Sequence, residues 1–229
     1  MGIVYRGASS VAKAGNGGAT DTITIGWPSV SANDTMLLII DPVVHKGLAF
    51  GSPAGFSNPN TSAGLTGGSF IAAYSKTWLG TEAGTLAINF AGTVLNTDLT
   101  AIGMSFSGID TTTPYDTGGA GTGTTNTSLT ATGVTTARNN ELIVASYLYT
   151  NASAFTPPAG MVLRMSVAGP ANYTMAVCTS IKATAGATGN LVATIGSTSV
   201  YAWTVQAFNP QIVGAPFWTN FLLSSEVDA

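Results

Sequence analysis

His45, in the run VVHKGL, is the only histidine of the chain. A catalytic base or a zinc ligand needs company: a group that fixes the imidazole tautomer, or further Cys and His side chains that complete a ligand set. Neither lies near it in sequence, so His45 reads as a polar loop or strand-end residue. Cys178 is also alone, so no intrachain disulfide can form and a small buried hydrophobe is its expected role. The run GMSFSG at 103–108 misses the G-x-S-x-G nucleophile elbow, because position 107 is Ser. It also falls inside an alternating strand pattern instead of at a strand-to-helix turn. The run GGAGTG at 118–123 has the composition of a phosphate loop, but no Lys-Ser/Thr pair and no helical pattern follow it. It reads as linker.

The carboxylates are Asp21, Asp34, Asp41, Glu82, Asp98, Asp110, Asp116, Glu141, Glu226 and Asp228. Two of them could in principle form the acid pair of a glycoside hydrolase, yet nothing in their spacing brings two together. The alternating oxygen ligands of a calcium loop are absent too. Asp34 in NDTMLLII and Glu141 in NNELIVAS each precede an apolar run, which points to a shared structural role. Sugar rings stack on exposed aromatics, for which Trp27, Trp78, Tyr115, Tyr147 and Tyr149 are the candidates. Most of these fall in predicted strands, where a core claims them. No catalytic residue, no cofactor site and no metal ligand is therefore expected, and the chain reads as non-enzymatic.

The elements that would carry such groups are strands. Apolar residues alternate in TITIGW (Ile23, Ile25, Trp27), TLAINF (Leu86, Ile88, Phe90), AIGMSF (Ile102, Met104, Phe106) and YAWTVQAF (Trp203, Val205, Ala207). A period of two is the mark of a half-buried strand. MLLII and LIVASYLY are apolar almost throughout, as strands covered on both faces would be. Gly, Asn and Pro clusters separate these runs, and no helical stripe is sustained anywhere, so an all-β antiparallel fold follows.

The pattern occurs twice. Residues 21–38 lie against 127–144 at a shift of 106, and PAG at 53–55 lies against PAG at 158–160 at a shift of 105. Lys76 meets Lys182, Leu86 meets Leu191, and TAIGMSF at 100–106 meets YAWTVQA at 201–207. Five segments in the same order imply a duplication. PAG itself is turn chemistry, with Pro expected at i+1, Gly at i+3, and the following Phe56 or Met161 plugging one end of the fold. The expected architecture is an antiparallel, jelly-roll-like β-sandwich built from two tandem pseudo-repeats. Its segments are an N-terminal arm (1–20), repeat 1 (21–110), a Gly/Thr-rich linker (111–126), repeat 2 (127–210) and a C-terminal extension (211–229). Interleaving both halves into one ten-strand sandwich would remove exposed sheet edges, so that arrangement is favoured over two separate modules.

Composition narrows the setting. Only 7% of residues are charged, the net charge is −3, and the seven Lys and Arg are scattered singly. Nucleic-acid binding and polybasic membrane attachment both need clustered cations, so neither partner is expected. The first residues, MGIVYRGASSVAKAG, lack the apolar core of a Sec signal, and Arg6 spoils a myristoylation start. Thr, Ser, Asn and Gly dominate the remainder, a surface suited to a large assembly or to the exterior of a particle. The extension carries Phe217, Trp218, Phe221, Leu222 and Leu223, which have no counterpart in the first half. It either folds back on its own sandwich or docks on a neighbouring subunit. Because it lacks a prepared groove on its own repeat, the expectation is an assembly interface on a neighbouring subunit.

The runs NDTMLLII, SPAGF, YSKTWLGTEAG and FSGID, followed by NNELIVAS, PPAGM, IKATAGATG and AFNP, resemble a diffuse set of bacteriophage and prophage β-sandwich proteins. In the second half Met161 stands where those proteins carry an aromatic, and AFNP lacks the closing Gly and Asp. The resemblance covers residues 21–210 and implies a virion structural role, with no catalytic residues to transfer. The leading expectation is thus a virion protein that decorates or cements the capsid, a homo-oligomer bridging copies of the major capsid protein. The alternative is a tail-fibre or tail-tip module that binds a glycan.

Overall fold

The computed structural model describes residues 2–13, 20–43, 55–57, 62–65, 70–81, 84–91, 98–169 and 172–212. No helix occurs among them. The first half contributes β1 (Val4–Lys13), β2 (Thr20–Gly26), β3 (Thr35–Val43), β4 (Ser62–Gly64), β5 (Phe70–Thr77), β6 (Thr85–Ala91) and β7 (Asp98–Ser107). These form a five-stranded sheet in the order β1-β7-β3-β5-β4 and a separate ribbon, β2-β6, with every pairing antiparallel.

The second half contributes β8 (Tyr115–Ala131), β9 (Thr135–Thr136), β10 (Glu141–Tyr149), β11 (Phe155–Thr156), β12 (Val162–Ala168), β13 (Thr174–Lys182), β14 (Gly186–Ala187) and β15 (Leu191–Phe208). Their main sheet runs β11-β15-β10-β13-β12, with β8 paired along β15 and a small β9-β14 pair beside it. Strand β15 has two parts. Tyr201–Phe208 pair with β10, whereas Leu191–Thr194 pair with Ser128–Ala131 of β8 and Thr194 and Ile195 with β11; the β8 ladder shifts register between the two stretches. Between them Ser199 Oγ accepts the N–H of Thr150 and Ser197 O accepts from Asn151 Nδ2, tying this part of β15 to the end of β10.

Alternation divides the core into three clusters. On β3, Leu37 and Ile39 face the second half, and Met36, Leu38 and Ile40 face Ile23, Ile25 and Ile88 of the β2-β6 ribbon. On β10, Leu142, Val144 and Leu148 meet the first half, and Ile143, Ala145, Tyr147 and Tyr149 meet Leu129, Leu191 and Ala193. The two main sheets thus share one apolar layer, and each is covered on its outer face by a two-stranded ribbon. That is why MLLII and LIVASYLY have no polar face: both sides of those strands are in contact with protein.

Three features differ from the sequence reading. Val4–Lys13, expected within an arm, is an edge strand bonded to β7. The Gly/Thr-rich stretch from Tyr115 to Asn126, expected as linker, is strand, with Gly121 opposite Trp203 and Gly123 opposite Tyr201. A Cβ at Gly121 would stand 2.6 Å from the Trp203 ring, so glycine there makes room for a large cross-strand partner. The two halves also do not interleave: among the described residues their ladders are separate, joined by the isolated bridge Ile109–Pro210.

The residue equivalences shift as well. Asn33 (φ 70°) and Asn140 (φ 61°) both adopt the left-handed conformation that ends a turn and sets the register of the next strand. Two residues later, Thr35 pairs with Phe106 and Leu142 with Phe208. Phe106 therefore corresponds in register to Phe208, not to Ala207, and a one-residue slip changes the face. Lys76 lies opposite Met36, whereas Lys182 lies opposite Glu141. Met161 N–H donates to Pro158 O at 3.0 Å, which puts Pro158 at i and Gly160 at i+2, one place earlier than expected. Gly160 (φ 78°) supplies the positive φ that a type II turn requires there, and Gly55 has a like φ of 79°. The residues that follow, Met161 and Phe56, are both buried.

Candidate functional site

The edge strands of the two main sheets, β1 and β12, approach one another, and each carries a bulge. Tyr5 pairs with Phe106 and Gly7 with Ser105, so Arg6 is the extra residue; Leu163 pairs with Cys178 and Met165 with Val177, so Arg164 is. A bulge turns the extra side chain out of the alternation. Arg6 reaches the buried Asp34, with Nε 3.4 Å from Oδ2. Arg164 reaches across the gap between sheets: its guanidinium carbon lies 4.3 Å from the centre of the Tyr5 ring, and its Nε donates to Thr179 Oγ1 at 2.7 Å.

Beside this contact lies a cleft of about 240 Å³. Phe106 and Leu142, both buried, line it together with Ile3 and Tyr5 from one sheet and Val162 and Ile181 from the other. Val162 is 52% exposed and Ile181 47%, so the apolar surface continues outward from the cleft. Among the described residues, Arg164 is the one charged residue in its lining. Burial raises the pKa of the Tyr5 hydroxyl, opposed by the positive charge of Arg164. Among the described residues lining the cleft there is no carboxylate or imidazole with which to exchange a proton. The arrangement can receive an apolar or aromatic side chain, in a space below the roughly 300–1,000 Å³ usual for small-molecule sites.

Titratable groups gather elsewhere, where β7 passes to β8. Asp110 accepts the N–H groups of Thr112 (2.9 Å) and Thr113 (3.1 Å) and an ion pair from Arg138 (3.2 Å). Those backbone bonds, with Arg138, hold its pKa below the usual carboxylate value. Asp116 Oδ2 accepts the N–H of Ala137 at 2.9 Å, and Glu141 Oε1 accepts the next N–H, that of Arg138, at 2.5 Å. Burial raises the Glu141 pKa; the Arg138 N–H opposes that rise, and the nearby Asp116 charge adds to it. Glu141 is wholly buried, so substrate has no path to it. Asp34 plays the same part in the first half, accepting Ser31 N–H at 2.8 Å. Both acids brace the turn that precedes a central strand.

The remaining sequence candidates fall into place singly. Trp78, Tyr147 and Tyr149 are buried; Trp27 stacks on Phe56 with ring centres 5.7 Å apart, and Tyr115 meets Phe208 edge-on at 6.2 Å. Tyr147 donates to Leu191 O at 2.8 Å, and its pKa is pushed upward by burial. Cys178 is buried with its thiol pushed up to about 12, again by burial, so it packs as a hydrophobe and supplies no thiolate at neutral pH. His45, Phe217, Trp218, Phe221, Leu222 and Leu223 lie outside the described residues. Sequence reasoning missed the cleft. Its signal was Arg164 in MVLRMSVA, a charge in the middle of a strand whose neighbours are apolar.

Comparison with protein-family models, with curated proteins and with solved structures finds no match.

Proposed function

We propose that the chain is a structural subunit of a bacteriophage particle, a duplicated and jelly-roll-like β-sandwich that decorates or cements the capsid exterior. In this reading it is non-enzymatic, resides in the virion, forms a homo-oligomer and bridges copies of the major capsid protein. The observation that carries the proposal is the run of large apolar residues that follows the last described strand in the sequence. Among the described residues, which end at Ile212, the apolar clusters draw their buried members from residues 23–208 and the last strand ends at Phe208. The five large apolar side chains of the extension come after that point and must be buried somewhere. Burial of each is worth roughly 1.5–3 kcal/mol, enough to hold subunits once repeated around a symmetric assembly. The bulged Arg6 and Arg164 support the same reading, since they blunt the sheet edges and leave association to an added segment. The glycan-binding alternative loses ground: Trp78, Tyr147 and Tyr149 are buried, and Trp27 and Tyr115 pack on other rings.

The test sets the purified chain against phage capsids and a glycan array side by side. Co-sedimentation with capsids, abolished by the F217A/W218A/F221A triple substitution in a folded chain, is the expected result. Saturable glycan binding without capsid binding would overturn it.

A further inference from the structure

The last described residues lie beside the cleft. Gln211 N–H donates to Gly108 O at 2.8 Å, and Gly108 packs on the Gly2–Ile3 backbone so closely that a Cβ there would stand 2.6 Å from Gly2 O. Ile3 lines the cleft, so the described chain ends near its margin. Ile212, the last described residue, is 70% exposed. The segment VGAPFWTNFLLSSEVDA holds three aromatic rings and two carboxylates, with no Lys or Arg. The cleft offers an apolar floor and, in Arg164, a single cation. We propose that this cleft is the docking site of residues 213–229 of the same chain, with an aromatic ring from Phe217–Phe221 seated on Phe106 and Leu142.

The source follows from tethering. A segment attached at the margin of its own site has an effective concentration in the millimolar range, so below that a second copy cannot compete. Seventeen residues, 213–229, can extend about 56 Å, far more than this docking needs. In this proposal the cleft is the groove on the chain's own fold that intramolecular docking requires. The inference does not depend on the particle assignment. If that assignment holds, the segment is latched in the free subunit and is released to its neighbours on assembly.

The experiment digests the full-length chain with chymotrypsin and follows cleavage at Phe217–Leu223 by mass spectrometry, against a synthetic 213–229 peptide. Cleavage at least tenfold slower than in the peptide is expected, unchanged over a hundredfold range of protein concentration. Val162→Asp and, separately, Ile181→Glu alter exposed positions at the cleft and should each speed cleavage at least fivefold while leaving the circular dichroism unchanged. Cleavage at the rate of the free peptide would overturn the proposal, as would protection insensitive to both variants. Protection that grows with protein concentration, together with a rising mass by light scattering, would also overturn it and place the segment on a second copy. Capsid co-sedimentation is read separately, so the two proposals can fail independently.

Discussion

Asp34 and Glu141 show how a nearly uncharged chain uses its few carboxylates: each spends an oxygen on an amide three residues back and so fixes a turn. Their ionisation then matters for stability. Glu141 has a pKa raised mainly by burial, so the folded chain binds its proton more tightly than the unfolded one. The stability this confers is complete below the ordinary glutamate value and is lost as pH rises through the raised one. Asp110 has the opposite sign. Its lowered pKa contributes stability above the ordinary aspartate value, lost as pH falls through the lowered one. Glu141→Gln keeps an oxygen for the Arg138 N–H and removes the buried charge. The variant should melt about 2–4 °C above wild type at pH 8 and level with it at pH 4, by scanning calorimetry. A lower melting temperature than wild type at pH 8 would mean that ionised Glu141 stabilises the fold.

At the scale of elements, glycine position decides more than glycine content. Gly121 and Gly123 alternate along β8 because the Trp203 and Tyr201 rings lie across them, so what resembles a flexible linker is a strand with its side chains supplied by the neighbour. Gly121→Ala should cost about 1–3 kcal/mol through forced displacement of Trp203. Gly84→Ala, with open space around its Cβ, should stay within about 0.5 kcal/mol of wild type, both measured by urea unfolding. Equal losses at the two sites would refute the packing account. This is also where sequence legibility ended. Alternation made β7 readable and continuous apolar runs made β3 and β10 readable, because their described apolar side chains are buried. It could not show that GGAGTG pairs with YAWTV, since a glycine's partner is not encoded in the glycine. Nor could it show the bulges: Arg6 and Arg164 interrupt the alternation by one residue, and only the partner strand reveals that the residue is extra.

For the whole molecule, the question is whether the halves are one cooperative unit. Their hydrogen-bonded ladders are separate, which would let each unfold alone. The packing opposes this. Leu37, Ile39, Ile102, Met104 and Phe106 of one sheet lie against Leu142, Val144, Leu148, Val177 and Phe208 of the other, all buried. Parting the halves would expose that whole layer to water at roughly 25 cal/mol per Å² of apolar surface, a cost large beside the few kcal/mol by which a domain is usually stable. A half with its inner face exposed is therefore not a stable intermediate. Calorimetry should show one transition, although chains above about 150 residues often show more. Leu37→Ala tests the coupling directly, because Leu37 belongs to the first half but packs in the shared layer. It should cost about 2–5 kcal/mol and move that single transition downward as a unit, with the Trp203 signal of the second half shifting by the same amount. If the first half melts early while Trp203 reports an unchanged second half, the layer between the sheets does not couple them.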